Sequence, residues 1–120
     1  MRVIIESPFS GGDLLNVEYA RRCLMDSLQR GESPFASHLL YTQVLDDRIP
    51  EQREMGMGLA LPWYEVAEMC AVYIDRGISA GMASGIQNAI SFNLKIVERT
   101  LEDDDSQTDS GNGFKSYWRG

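Results

Sequence analysis

The chain has 120 residues, 43% of them hydrophobic, which is enough for one domain around one core and too little for two. Its formal charge of −7 is concentrated in the run Glu102, Asp103, Asp104, Asp105 with Asp109, so the rest of the chain is nearer to neutral. No cluster of Lys and Arg is present to displace counterions, which argues against a protein that grips nucleic acid through its backbone. An acidic mimic of DNA would spread its charge over a face, and here the charge sits at one end. The opening residues Met1 to Glu6 lack the apolar run of a signal peptide, and nowhere is there the stretch of ~18 apolar residues that suggests a membrane span. A cytoplasmic, soluble protein with no membrane partner is therefore expected. Cys23 and Cys70 fall in apolar-periodic segments, where cysteine behaves as a small buried hydrophobe. With a single histidine and no C-x-x-C spacing, neither a metal site nor a cofactor is expected.

In chain order, Val3-Ile4-Ile5 is a β-branched run ending at Glu6 and Ser7-Pro8, the pattern of a buried parallel strand that enters a loop. The turn-rich segment Ser7 to Asp13 follows. Leu14 to Arg30 then carries Leu14, Val17, Ala20, Leu24 and Leu28 at helical spacing. Strand, glycine-containing loop and helix open a nucleotide-binding unit, in which Gly11 and Gly12 would let a phosphate or ribose approach the helix N-terminus. There is no G-x-G-x-x-G and no Walker lysine, so an ordinary tight turn stays open. Gly31 closes the helix, and Pro34-Phe35-Ala36 reads as a second strand.

That strand delivers Ser37-His38-Leu39-Leu40-Tyr41-Thr42-Gln43, a polar loop holding the only histidine, followed by Asp46-Asp47 and by Glu51 and Glu54. Pro50 to Met69 is a long helical pattern with Met55, Leu59, Trp63, Val66 and Met69 on one side, kinked or split at Pro62. Glu51 and Glu54 suit the start of that helix. Cys70 to Ile74 is another buried-strand run, ending in the loop Asp75 to Met82. A helix begins at Gly77 or Ser79 and runs to about Phe92, with Ile78, Met82, Ile86 and Ala89 as its stripe. Leu94 to Val97 supplies a last strand. The alternation implies an α/β, Rossmann-like three-layer sandwich with a parallel sheet of about four strands and all three loops on one edge. Residues 1–101 form this domain. After Leu101 the composition turns to Asp, Ser, Gly, Asn and Gln, an acidic flexible tail over 102–120.

Taken together, Ser7-Pro8-Phe9, Ala36 to Gln43, Leu45-Asp46-Asp47, Pro50 to Glu54, Asp75 and Gly77 to Met82 resemble a family of small phage and bacterial proteins of unknown function, over residues 2 to about 99. That family is distantly similar to the nucleoside 2-deoxyribosyltransferase and deoxynucleotide N-glycosidase group. The resemblance implies a Rossmann-like sheet, a homo-oligomer and a nucleotide-derived ligand. In that group a glutamate in a G-M-x-x-E-I motif attacks the sugar C1′. The matching position here is Gly85, in Gly81-Met82-Ala83-Ser84-Gly85-Ile86, which removes the group's usual nucleophile.

Three readings follow. In the first, the domain binds a nucleotide or nucleotide-derived molecule through Ser7, Phe9, Gly11, Gly12, Ser37, His38, Tyr41, Gln43, Asp75, Ser79, Gly81 and Met82; in a phage this could sequester an immune signalling nucleotide in the host cytoplasm. In the second it is an N-glycosidase or deoxyribosyltransferase in which Asp46, Asp47, Glu51, Glu54 or Asp75 replaces the missing glutamate and His38 serves as acid or base. His38 and Asp75 are its catalytic candidates. In the third the pocket is vestigial and the surface engages a host protein.

Overall fold

The computed structural model describes residues 1–9 and 13–101; Gly11, Gly12 and the whole of the expected tail, 102–120, lie outside the described residues. The elements run β1 (Arg2–Glu6), α1 (Leu14–Gln29), β2 (Ser33–Phe35), α2 (Ser37–Leu40), α3 (Pro50–Val66), β3 (Met69–Tyr73), α4 (Ala80–Ser91) and β4 (Lys95–Arg99). One turn of 3₁₀ helix over Tyr41–Gln43 follows α2. The strands form a parallel sheet in the order β2-β1-β3-β4, with Glu6 beside Val72 at the end of the central pair. This is the α/β architecture that the alternation of elements implies.

Strand pleating sorts the core onto two faces. Val3 and Ile5 of β1, with Met69, Ala71 and Tyr73 of β3, pack under α1 against Tyr19 and Cys23. Ile4, Cys70 and Val72 face the other way, against Ala60 and Tyr64 of α3 and Met82 and Ala89 of α4. By the same alternation Glu6 points to the α3/α4 side, in phase with Ile4. The chain leaves β1 for β2 on one side and later crosses to β3 on the other. The strand ends of β1 and β3 therefore flank a switch point, where the loops diverge and leave a crevice.

Two turns set the frame. The Asp13 carboxylate accepts from the Leu15 N–H at 2.9 Å and starts α1. Gly31, at φ +81°, ends it in a backbone conformation that a side chain disfavours.

The helical faces differ from those expected. In α1 Ala20 and Leu24 of the expected row do pack inward, beside Tyr19, Cys23, Asp26 and Ser27, whereas Leu14 and Leu28 face solvent. In α3 the expected stripe is outward: Met55, Leu59, Trp63 and Val66 are 52%, 59%, 46% and 49% exposed, and Met69 belongs to β3. Burial goes instead to Ala60 and Tyr64, in the row that begins at the partly buried Gly56. Small residues there let the helix approach closely, and the polar tip of Tyr64 has a partner inside. Pro62 does not split α3, because Pro62 and Gly58 are both exposed and the carbonyl that loses its helical partner can bond water. Ile78 is likewise exposed, outside α4, while Met82, Ile86 and Ala89 pack inward.

Beneath the sheet, away from the crevice, an ionic network ties the end of α1 to β3 and β4. Arg99 donates from Nη1 and Nη2 to the two carboxylate oxygens of Glu32 at 2.9 and 2.6 Å, and Nη1 also donates to the Tyr73 hydroxyl at 3.1 Å. Tyr73 donates to Asp26 at 2.8 Å, an oxygen that Arg30 Nε also reaches at 2.8 Å. Arg99 and Glu32 are nearly buried, so removing one charge strands the other in a poorly solvated place. Arg99→Met is expected to lower unfolding free energy by about 3 kcal/mol or more. The double variant Arg99→Met/Glu32→Leu should recover a large part of the loss in urea unfolding.

Candidate active site

A cavity of about 440 Å³ opens at the switch point, within the size range of small-molecule sites. Its floor is Glu6 and Ser7 at the end of β1. One wall is Ser37, His38, Tyr41 and Thr42 from α2 and the following turn, with Asp47 and Arg48 at the rim. A second wall is the inner side of α3, including Gln52, Arg53, Gly56, Ala60 and Tyr64. The third is the start of α4, with Ser79, Ala80, Gly81, Met82, Ser84, Gly85 and Asn88. Phe9 completes the mouth.

Each wall is held by local chemistry. The segment expected as a loop from Ser37 is helical: Leu39 and Leu40 N–H groups both return to the Ala36 carbonyl at 3.0 Å, and Thr42 Oγ1 donates to the His38 carbonyl at 2.6 Å. Tyr41 is pinned to α3, since its hydroxyl donates to the Leu59 carbonyl at 3.1 Å and accepts from Trp63 Nε1 at 3.0 Å. The Asp46 N–H donates to Gln52 Oε1 at 2.6 Å, fixing the rim to α3. Ser79 caps α4 by accepting from the Met82 N–H at 3.2 Å.

The floor carries the unusual electrostatics. Glu6 is 8% exposed, and its Oε2 accepts from the Tyr64 hydroxyl at 2.6 Å. Burial pushes its carboxyl up to about 7, and the Tyr64 hydrogen bond opposes that shift. Burial, followed by the neighbouring carboxylate, raises Tyr64 and keeps it a neutral donor. A Cβ on Gly85 would lie closer than 3.0 Å to Cδ, Oε1 and Oε2 of Glu6. The carboxyl thus lies against the bare backbone of α4, in the space a side chain at position 85 would enter. Beside it, Ser7 Oγ and His38 Nε2 are hydrogen-bonded at 2.7 Å, and Phe9 meets the His38 ring edge-on with centroids 5.9 Å apart. Burial of the ring pushes His38 down to about 4 although the residue as a whole is only partly buried, so the imidazole is neutral at pH 7.

Of the residues expected at a site, Ser7, Phe9, Ser37, His38, Tyr41, Ser79, Gly81 and Met82 come together around this cavity. Gly11 and Gly12 lie outside the described residues. Gln43 is turned away and donates to the Leu39 carbonyl at 3.3 Å. Asp75 is also elsewhere: its carboxylate accepts from the Tyr19 hydroxyl at 2.5 Å and from the Leu101 N–H at 2.9 Å, tying β4's exit to α1. That engagement removes it as a catalytic candidate. Of the other acids, Asp46 binds Arg48 at 3.0 Å, Glu51 and Glu54 face solvent, and Asp47 reaches the rim. With its imidazole neutral, His38 suits holding Ser7 better than donating a proton.

Glu6, Tyr64, Gln52, Arg53, Ser84 and Asn88 were not expected here. Glu6 left a signal, an acid at the last inward-facing position of a buried strand. Tyr64 left none, since its partner is distant in sequence. Among the described residues no three His, Cys, Asp or Glu side chains cluster as metal ligands would.

Residues 1–99 match the family described as a domain of unknown function, DUF7768. The chain belongs to that family. No curated protein matches it by sequence. Among solved structures it is similar to the 2-deoxyribosyltransferase of the psychrotolerant bacterium Bacillus psychrosaccharolyticus, at a TM-score of 0.67 and 13% identity, over 83% of this chain and 72% of that one. At that identity the likeness is one of fold. No helix among the described residues is long and apolar enough to cross a membrane.

The site's two shifted groups give opposite pH dependences of stability. Glu6 holds its proton in the folded state up to about pH 7 but loses it near 4.5 when unfolded, so its contribution is present below 4.5 and is lost as pH rises to 7. His38 gives up its proton early in the folded state, so its contribution grows from about pH 4 to 6.5. In urea unfolding, Glu6→Gln should be stabilised relative to wild type as pH rises from 4.5 to 7, by about 3 kcal/mol in all. His38→Gln should unmask the falling limb due to Glu6; parallel pH profiles for all three proteins would contradict this assignment.

Proposed function

We propose that the domain binds a nucleoside or nucleotide in this cavity and breaks or transfers its N-glycosidic bond. The observation that carries the reading is the buried Glu6 carboxyl, held on one oxygen by Tyr64 and open to a nucleoside-sized space. Positive charge develops at the anomeric carbon as the bond to the base breaks, and a carboxylate in a low-dielectric site is the group that stabilises it. No described cation pairs with Glu6 to cancel that effect. The likeness of fold to a 2-deoxyribosyltransferase supports the same kind of chemistry.

In this reading Ser7, Ser37, Tyr41, Ser79 and the backbone at Gly81 read the sugar and the base, Phe9 offers an aromatic edge, and Arg48 and Arg53 at the rim suit a phosphate. His38 fixes Ser7. Gln43 and Asp75 have no part in it. The protein would act in the cytoplasm, the host's if phage-encoded, where nucleotides are plentiful. The outward apolar row on α3 supports a homo-oligomer. If that row is the contact, Leu59→Glu shifts sedimentation equilibrium from oligomer to monomer.

Capture without cleavage is the second reading, including sequestration of an immune signalling nucleotide. It is favoured by the same carboxyl's high pKa, which keeps much of it protonated near neutrality and able to donate a hydrogen bond. One experiment separates the two. The protein is incubated with 2′-deoxynucleosides, ribonucleosides, their 5′-monophosphates and cyclic dinucleotides, and free base is followed by chromatography alongside the melting temperature. Base release lost in Glu6→Gln supports the enzyme, whereas a raised melting temperature with ligand recovered intact supports capture. A flat response in both sinks both.

A further inference from the structure

We propose that Glu6 is the nucleophile of this site, delivered by a strand and given its space by a helix glycine, and that it forms a covalent ester with the anomeric carbon. The inference rests on the glycosidic reading above and sharpens it from charge stabilisation to bond formation. Four features of Glu6 point to it.

First, the two carboxylate oxygens are unequal. Oε2 accepts from Tyr64 at 2.6 Å, whereas Oε1 has no hydrogen-bond partner among the described residues and the side chain lines the cavity. A nucleophilic carboxylate needs this division: one oxygen tethered so that the group cannot rotate, the other bare so that its lone pair can reach carbon. Second, of the cavity's carboxylates, Glu6 and Asp47, only Glu6 is buried and tethered. Third, position 85 is glycine where any Cβ would collide with all three atoms of the carboxyl group. Gly85 itself is buried in the middle of α4, a place where glycine weakens a helix by roughly 1 kcal/mol. Its absence of side chain is what admits the carboxyl. Fourth, among the described residues no cation pairs with the group, so none of them holds its charge away from an incoming electrophile.

The step balances with water as co-reactant. Oε1 bonds to C1′ as the C1′–N bond breaks, and that bond's electron pair leaves with the base, which takes a proton from water. A second water then adds its oxygen to C1′, the ester bond returns its electrons to Glu6, and the proton released neutralises the hydroxide left by the first step. A nitrogen of another base can replace the second water, which gives transfer in place of hydrolysis. Two displacements at C1′ retain its configuration. Tyr64 is a positioning residue: it touches the carboxylate, and its hydrogen bond favours the ionised form.

The test uses the full chain and a 2′-deoxy-2′-fluoroarabinosyl nucleoside with a readily expelled base, in which the fluorine slows the second displacement so that an ester accumulates. The expected result is a glycosyl mass increment on the peptide from Val3 to Arg21, assigned by fragmentation to Glu6. Glu6→Ala should lower base release from the deoxynucleoside by on the order of 10³-fold or more. Added azide should restore it and yield a glycosyl azide of inverted configuration, a rescue that a merely structural role would not allow. Tyr64→Phe should lower base release and also move the lower limb of the pH–rate profile to higher pH, because Glu6 loses both its tether and the hydrogen bond that favours its charge. Circular dichroism and melting temperature check that each variant folds. Base release by the wild type with no adduct on Glu6, an adduct on another residue, or full activity in Glu6→Ala overturns the assignment and leaves the glycosidic reading standing. No base release from any substrate overturns both.

Discussion

The constraint on which the site depends is the burial of one carboxyl group against a helix that has no side chain to receive it. Glu6 ends β1 on the inward face, where Ile4 precedes it in apolar surroundings, and burial there costs the charged form several kcal/mol relative to water. The fold offsets this only in part, through the Tyr64 hydroxyl on Oε2. A partial offset is informative. Stronger pairing would hold the carboxyl ionised, and the loss of Tyr64 would push its pKa higher still. With a pKa of about 7, Glu6 is poised between the two forms.

Around that group, the neighbours divide into those that touch the cavity and those that keep the walls in place. Tyr41, locked by Leu59 and Trp63, joins the second wall to the first, and the Asp46–Gln52 bond closes the rim. The pair Ser7 and His38 lies next to Glu6 as a neutral polar surface. A neutral histidine adds hydrogen bonding without adding a cation that would pair with Glu6, so its low pKa preserves the isolation of the carboxyl. The ionic network of Glu32, Arg99, Tyr73 and Asp26 stabilises the opposite side of the sheet. There each carboxylate is held by a cation, Glu32 by Arg99 and Asp26 by Arg30.

The position of Gly85 changes how the missing glutamate is read. A motif that lacks its carboxylate looks like a site that has lost its chemistry. In three dimensions a carboxylate occupies the space beside that position, carried by a different element. The distance between Glu6 and Gly85 along the chain, and the fact that one is a strand end and the other mid-helix, hides their contact from any reading of local sequence. It becomes visible only when the Cβ that glycine lacks is placed on the backbone.

The sequence by itself determined the order of strands and helices, because β-branched runs, helical spacing and turn residues such as Asp13, Gly31 and Ser79 act locally. With right-handed crossovers this also settled a parallel sheet with its loops on one edge, and hence that Ser7, His38 and Ser79 would share a crevice. For α4 the expected row packs inward, but tertiary structure decided which face of α3 is buried. The α3 pattern offers two rows at helical spacing, and the sheet takes Ala60 and Tyr64, where a small side chain allows close approach and the Tyr64 hydroxyl finds Glu6; the more apolar row of Met55, Leu59 and Trp63 is left outside. Tertiary structure also removed Asp75 and Gln43 from the site, since their polar groups satisfy nearby donors and acceptors that no periodicity reveals. Above all it placed Glu6, Tyr64 and Gly85 together. Local propensities act over a few residues, whereas these three meet only once the sheet has brought β1, α3 and α4 to one point.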